Sequence, residues 1–405
     1  MVDPRVVELV LVTPTGDVVG SLPPFPVATP WWPDAWPIVE AARRLHGIDV
    51  VVLRILRADG DAPAGGTITY LAQIPAPGAG AVAGVRPWPL PLVDHPLRMP
   101  WARLGGPDAD LAWADALLAE RGLARTGPAE QIKTWNLSSL WRLPIEGGTL
   151  WLKHVPLIFG HEATIIERLA GRSVPALIGA DGPRMVMREI PGEDMYDAGL
   201  PVLSRGLSIL VALQREWIGR IDELLALGLP DWRGPVLRAL IADVVERTTA
   251  ELSADDRATL REFVAELPHR FDRVAEYGIP DTIVHGDFGP GNLRGDDRAL
   301  VVLDWGDSGV GNPLLDQPAM FDRAPFEAVE PLRDQWAAEW EAAVPGSDPR
   351  RTARLLAPVA AARQAVIYRK FLDNIEPSEH PYHRADPSNW LARAAELVRA
   401  ETNAT

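Results

Sequence analysis

The N-terminal hundred residues carry their apolar positions in short, two-sided runs. VVELVLVT (6–13) is predicted to be a strand that ends at a Pro-Thr-Gly-Asp turn. VVVLRIL (50–56) and TITYLAQI (67–74) are predicted strands joined by a Gly- and Asp-rich turn. Between the first two, IVEAARRLHGI (38–48) spaces its apolar residues three and four apart, as a helix with one buried face does, and Gly47 closes it. The stretch 75–96 is too rich in Pro and Gly for a regular element. DADLAWADALLAERG (108–122) returns to helical spacing, capped by Asp108 and closed by Gly122.

From about residue 128 the pattern changes. WRLPIEGGTLWLKHV (141–155) holds two alternating runs around Glu-Gly-Gly, the mark of a hairpin. HEATIIERLAG (161–171) reads as a helix, and PRMVMREIPGEDM (183–195) as a strand running into a turn. Beyond residue 200 the helical period dominates, over 202–228, 234–252, 254–276, 327–343, 350–372 and 387–402. The exception is IVHGDFGPGNLRGDDRALVVLDWGD (283–307), which reads strand, tight turn, strand. There is no internal repeat.

Composition narrows the chemistry. A chain of 405 residues exceeds one typical domain. It has no cysteine, which removes disulfides, thiolate metal sites and Cys nucleophiles. Its eight histidines form no HExxH cluster, so a zinc hydrolase is not expected. A net charge of −15 disfavours nucleic acid as a partner and is compatible with a cationic substrate. No apolar run is long enough to span a bilayer, and the N-terminus lacks the layout of a signal peptide, so a cytoplasmic protein is expected.

In 283–307, Asp287 leaves a short apolar run, Gly289-Pro290-Gly291 forces a turn, and Asn292 follows. A second apolar run, 299–305, delivers Asp304. If the two runs pair as a hairpin, both carboxylates and the amide converge at one end. Such hard oxygen donors suit Mg²⁺. Asp, then Asn five residues on, then Asp after a strand is the order used for phosphoryl transfer in protein kinases.

HGDFGPGN (285–292) followed by VVLDWGDSGVGNPLLDQ (301–317) resembles the aminoglycoside phosphotransferase family, whose relatives include choline, homoserine, fructosamine and several sugar kinases. The resemblance covers roughly residues 128–405. It implies an α+β, bilobal, protein-kinase-like fold: a small β-rich lobe over 128–191 and a large helical lobe over 192–405. A connecting helix (105–127) and an extra small α+β domain (1–104) precede it. It implies an ATP-dependent kinase acting on a hydroxyl of an aminoglycoside, amino sugar, sugar or amino alcohol. Asp287 would be the catalytic base, and Asn292 and Asp304 would hold Mg²⁺. Lys153 would grip the α- and β-phosphates, steadied by Glu162 rather than its competitor Glu167. Backbone groups of Met187, Arg188, Glu189 and Ile190 would meet the adenine. The phosphate loop falls in TWNLSSLWRL (134–143), which has no glycine; Asn136, Ser138 and Ser139 would supply its turn and donors.

Each residue also has a plainer reading. Asp287 alone would read as a turn cap, Lys153 as a surface lysine, and Glu162 as a first-turn Glu favoured by the helix dipole. His285 is expected to brace the loop and Asp316 to cap a helix. Asp307, Asp373 and Glu376 are candidate substrate contacts, the last two from an acidic stretch (371–390) that also reads as a solvated loop. Residues 1–104 loosely resemble the Nudix fold. Aligned on Gly47, that fold's metal-binding glutamates fall on Arg44 and Leu45, so no pyrophosphohydrolase activity is implied. A catalytically silent nucleotide-binding regulatory protein is the alternative function.

Overall fold

The alternating runs at the N-terminus fold as a mixed sheet. The computed structural model of the chain describes residues 5–59, 63–75, 84–296 and 298–403. Residues 76–83 of the Pro/Gly-rich stretch and 60–62 of the Gly/Asp-rich turn lie outside the described residues. The chain forms two compact units. The first combines Met1–Gly160, Leu177–Glu189 and Phe371–Arg384; the second combines His161–Ala176, Ile190–Lys370 and Ala385–Thr405.

The first unit contains two sheets. In one, β1 (Arg5–Val12) sits at the centre, antiparallel to β2 (Val18–Ser21) and β3 (Phe25–Pro26) and parallel to β5 (Gly66–Gln73). The edge strand β4 (Val51–Asp59) is antiparallel to β5. Helix α1 (Trp36–His46) ends at Gly47, whose φ of 67° is the left-handed stop a glycine allows. The second sheet has the order β6-β7-β8-β10-β9 and is antiparallel throughout: β6 (Glu130–Trp135), β7 (Ser138–Ile145), β8 (Gly148–His154), β9 (Leu177–Asp181) and β10 (Arg184–Arg188). Helix α2 (Gly106–Glu120) lays Ala114 and Leu118 on Leu150, Leu152 and Val186 of this sheet.

The two sheets are stitched through β6. Strand β6 is an edge, and an uncovered edge offers unpaired N–H and C=O groups. The side-chain amide of Gln131 accepts from the Val52 N–H (2.9 Å) and donates to the Val52 C=O (2.7 Å), imitating a backbone pair. Ala35 N–H donates to the Ile132 C=O (3.0 Å), and Thr134 N–H to the Pro33 C=O (2.9 Å).

The acidic stretch expected to face a substrate belongs to this unit. Glu376 is buried and receives Arg98 at 2.8 Å, with Arg54 at 3.6 Å. Glu379 accepts the Ile55 N–H of β4 (2.9 Å), and Tyr382 enters the core of the first sheet beside Trp32. Glu376 is thus an internal ion-pair partner rather than a wall for a ligand. Two buried arginines offset the charge that the isolated stretch would have had to present to water.

In the second unit, helix α3 (Glu162–Arg168) precedes a predominantly helical array. It comprises α4 (Leu200–Glu216), α5 (Ile221–Ala226), α6 (Gly234–Thr248), α7 (Ala254–Glu276), α8 (Gln317–Phe321), α9 (Phe326–Ala343), α10 (Pro349–Asn374, which runs on into the first unit) and α11 (Asp386–Asn403). The helix expected over 202–228 is two, because Gly219 (φ 75°) turns the chain between them. Strand β11 (Glu193–Asp194) pairs with β13 (Leu293–Gly295), and β13 with β14 (Leu300–Val302). The remaining pair is β12 (Thr282–Val284) with β15 (Gly309–Gly311). The expected hairpin is therefore corrected: the run before Asp287 pairs with a strand beyond Asp304, not with the run that delivers it. Among the described residues no helix is long and apolar enough to cross a membrane.

Candidate active site

Strand β12 ends at His285, and the loop that follows hangs from one buried acid. Asp316 accepts the N–H of His285 (2.9 Å), the N–H of Gly286 (2.7 Å) and the Gln214 amide (2.9 Å). It was expected to cap a helix; its carboxylate instead fixes this loop, and no cap hydrogen bond is made by its side chain. Gly286 has φ 92°, and a Cβ there would lie 2.1 Å from the Asp307 carbonyl oxygen, so only glycine fits. Its own carbonyl accepts from Arg363 (2.6 Å) and Gln364 (3.0 Å) of α10. His285 accepts the Asp287 N–H at Nδ1 (3.3 Å), which leaves Nε2–H to donate to the Leu303 C=O (2.8 Å). It braces the loop from both ends.

Asp287 and Asn292 are joined directly. The Asn292 amide nitrogen donates to the Asp287 carbonyl (2.7 Å) and to its Oδ2 (3.0 Å), which leaves the amide oxygen as the atom able to face a cation. Asp287 Oδ1 pairs with Arg323, which follows α8, at 2.8 Å. Asn292 also accepts the Leu303 N–H through its carbonyl (2.8 Å), tying it to the residue before Asp304.

Asp304 has φ 58° and is the sole non-glycine residue at positive φ among the described residues. This conformation costs on the order of 1–3 kcal/mol for such a residue, and it holds an exposed carboxylate at the start of the turn Trp305–Asp307. Trp305 is buried against His285, ring centroids 4.7 Å apart. Asp307 is pushed up to about 8 by burial and by the charges of Asp287 and Asp304. Glu162, buried at the start of α3, adds to that repulsion, whereas Glu167 is exposed. Beneath them Arg363 is fully buried; burial pulls its guanidinium down, and Asp316, Asp307 and Asp287 oppose that.

The oxygen donors and mutually repelling carboxylates fit a divalent cation. Asn292 and Asp304 supply hard ligands, and a bound positive charge would relieve Asp307. Among the described residues no three His, Asp or Glu side chains form a ready-made cage. Mg²⁺ is commonly held by one or two carboxylates plus substrate phosphates, so none is needed.

The remaining expected residues lie in or beside the first unit. Lys153 is half-buried on β8, between the buried Leu152 and His154, so it points to the face opposite α2. Asn136 and Leu137 form the tight turn between β6 and β7. The Asn136 side chain is buried, donating to the Glu379 C=O (3.4 Å) and accepting from His383 (3.1 Å). Ser138 accepts from Trp135 (2.9 Å), and the buried Ser139 from Trp141 (3.0 Å). These side chains serve the turn itself, leaving its backbone N–H groups for any phosphate. Met187 and Arg188 end β10, and the Glu189 N–H donates to Thr149 (3.3 Å). The boundary between the two units falls between Glu189 and Ile190. Asp373 is exposed near the end of α10. Arg323, Arg363 and Gln364 were not anticipated: nothing in a helical arginine marks it as facing a loop dozens of residues away.

The model of the phosphotransferase enzyme family matches residues 156–395, more than half of the chain. Among solved structures, an ethanolamine kinase of Plasmodium vivax matches 67% of this chain and 84% of its own at 11% identity, with a TM-score of 0.50. A macrolide 2′-phosphotransferase type I covers 72% and 97% at 20% identity and a TM-score of 0.48. A choline/ethanolamine kinase family protein of Mesorhizobium loti covers 71% and 94% at 18% identity and a TM-score of 0.46. No curated protein matches. The first of these likenesses agrees with a protein-kinase-like fold, and with the match over residues 156–395 the chain belongs to the phosphotransferase enzyme family.

Proposed function

We propose that this protein transfers the γ-phosphoryl group of ATP to a hydroxyl of a small molecule. The observation that carries the reading is the joined pair Asp287–Asn292, set beside Asp304 and Asp307 on one buried framework. In the reaction the acceptor oxygen forms a bond to the γ-phosphorus as the bond from that phosphorus to the bridging oxygen of ADP breaks. The acceptor's proton passes to Asp287, or is oriented by it until late in the transfer.

Asn292 and Asp304 would hold Mg²⁺, which supplies charge neutralisation on the polyphosphate. Asn292 also fixes the Asp287 carboxylate in one rotamer, so that the base does not have to be ordered at the moment of reaction. Lys153 would meet the α- and β-phosphates, with Glu162 as its steadying acid. The connector 187–190 would take the adenine. The acceptor class is a sugar, amino sugar, aminoglycoside or amino alcohol. The catalytically silent alternative draws on one observation, the commitment of Asn136, Ser138 and Ser139 to their own turn.

ADP release from MgATP across a panel of hydroxyl acceptors tests this. Acceptor-dependent turnover should fall by about 10³-fold or more in Asp287→Asn, with nucleotide binding retained. MgATP binding without turnover by any acceptor would favour the silent reading. Absence of MgATP binding would reject the roles given to Lys153, Asn292 and Asp304.

A further inference from the structure

The expected acceptor of a family member with so acidic a chain is a cation, but the group placed on the catalytic loop is an arginine. Arg323 Nη1 lies 2.8 Å from Asp287 Oδ1. Its chain crosses Gly289, where a Cβ would come within 3.0 Å of Nη1 and 3.3 Å of Cδ; the glycine leaves the lane it lies in. Only Nη1 is engaged: Nε and Nη2 have no partner among the described residues, and the side chain is 45% exposed. A guanidinium is a planar fork of donors suited to two oxygens of a carboxylate or phosphate, and here most of that fork faces outward.

We infer that Arg323 receives an anionic group of the acceptor, so that the substrate carries a carboxylate or phosphate near its reacting hydroxyl. The inference rests on the kinase reading above. A hydroxyl in reach of Asp287 lies in reach of Arg323 as well, because the two side chains share one contact. An ammonium at that distance meets a fixed positive charge. A carboxylate forms charge-assisted hydrogen bonds to the open nitrogens and draws the guanidinium off Oδ1, freeing that oxygen for the hydroxyl proton. The acidic residues that would have favoured an amine are placed elsewhere: Glu376 and Glu379 are buried in the first unit, with Glu376 on Arg98 and Arg54. Asp322 and Asp386 do stand in the same neighbourhood. Asp322 has Arg393 and Arg323 for company, and the charge of Asp386 falls on Tyr368.

The test is ADP release from MgATP with two matched sets, glycerate, glycerol and ethanolamine, and glucuronate, glucose and glucosamine, with kanamycin as a polycation. The carboxylate member should be the best acceptor of at least one set. Arg323→Gln should lower its kcat/KM by about tenfold or more, chiefly through KM, and leave the neutral member within about threefold. Arg323→Lys should recover part of the loss. Preference for the amines or kanamycin would overturn the inference, as would an equal effect of Arg323→Gln on all members. So would silence of every carboxylate in a protein that binds MgATP. Failure to bind MgATP, or turnover unchanged in Asp287→Asn, would instead overturn the kinase reading beneath it.

Discussion

The turn between β6 and β7 and the loop after β12 are both tight, and each is held by a different means. At the first, Asn136 is gripped from outside by His383 and the Glu379 carbonyl, while Trp135 stacks on Tyr382 (5.6 Å) and His383 (5.7 Å) and Trp101 donates to its carbonyl (2.9 Å). At the second, a single buried carboxylate takes two successive backbone N–H groups, and a buried arginine takes the intervening carbonyl. The first needs no glycine because aromatic rings and an amide set its shape. The second cannot do without one, since Gly286 passes against the Asp307 carbonyl. Redundant packing tolerates loss; a single charged keystone does not.

That contrast predicts a hierarchy of damage. Asp316→Ala removes the acceptor of two buried N–H groups and of Gln214, and leaves Arg363 facing fewer charges. Destabilisation of about 3–5 kcal/mol is expected in urea melts, with turnover lost beyond what the lower folded fraction explains. Asn136→Ala deletes two side-chain contacts from a turn that keeps its rings. About 1–2 kcal/mol is expected, with a raised KM for ATP and kcat altered less than severalfold. If Asn136→Ala were the more damaging of the two, the comparison would be inverted.

The smallest effect concerns the grip on the first turn. Glu379 is pushed up to about 8 by burial, with the charge of Glu376 adding to it. Its folded value lies above its unfolded one, so its contribution to stability is complete below the unfolded value near 4.5 and fades as pH rises towards 8. Glu379→Gln keeps an acceptor for the Ile55 N–H and does not ionise. The loss of stability between pH 5 and pH 8 should shrink in this variant by on the order of 1–3 kcal/mol, read from melts at the two pH values. An unchanged difference would remove Glu379 as its cause.

Where the sequence was legible, the signal was local. Period marked α1, α2, β1, β4, β5, and the β7–β8 hairpin. The five-residue step from Asp287 to Asn292 marked a pair that proves to be hydrogen-bonded. The pairing of β12 was not legible, because Gly-Val-Gly (309–311) has too little side chain to announce a strand and a three-residue strand carries almost no register. Glu376 was misread because its partner, Arg98, stands 278 residues away, and an acid in a broken stretch looks solvated until an arginine is found beneath it. Arg323 and Arg363 were invisible for the same reason: each belongs to a helical stretch whose own pattern is ordinary. Asp316 was noticed, but its role depends on which backbone approaches it.

The amide of Gln131, standing in for a strand against Val52, has a consequence for how this protein can be divided. The N-terminal hundred residues look appended when read along the chain, and a kinase trimmed to its family core would start after them. Such a chain would bare the outer edge of β6, unseat Tyr382 from its core, and strand Glu376 with neither Arg54 nor Arg98. The unit of inheritance and of expression is therefore the whole chain: what precedes the kinase serves as one wall of it.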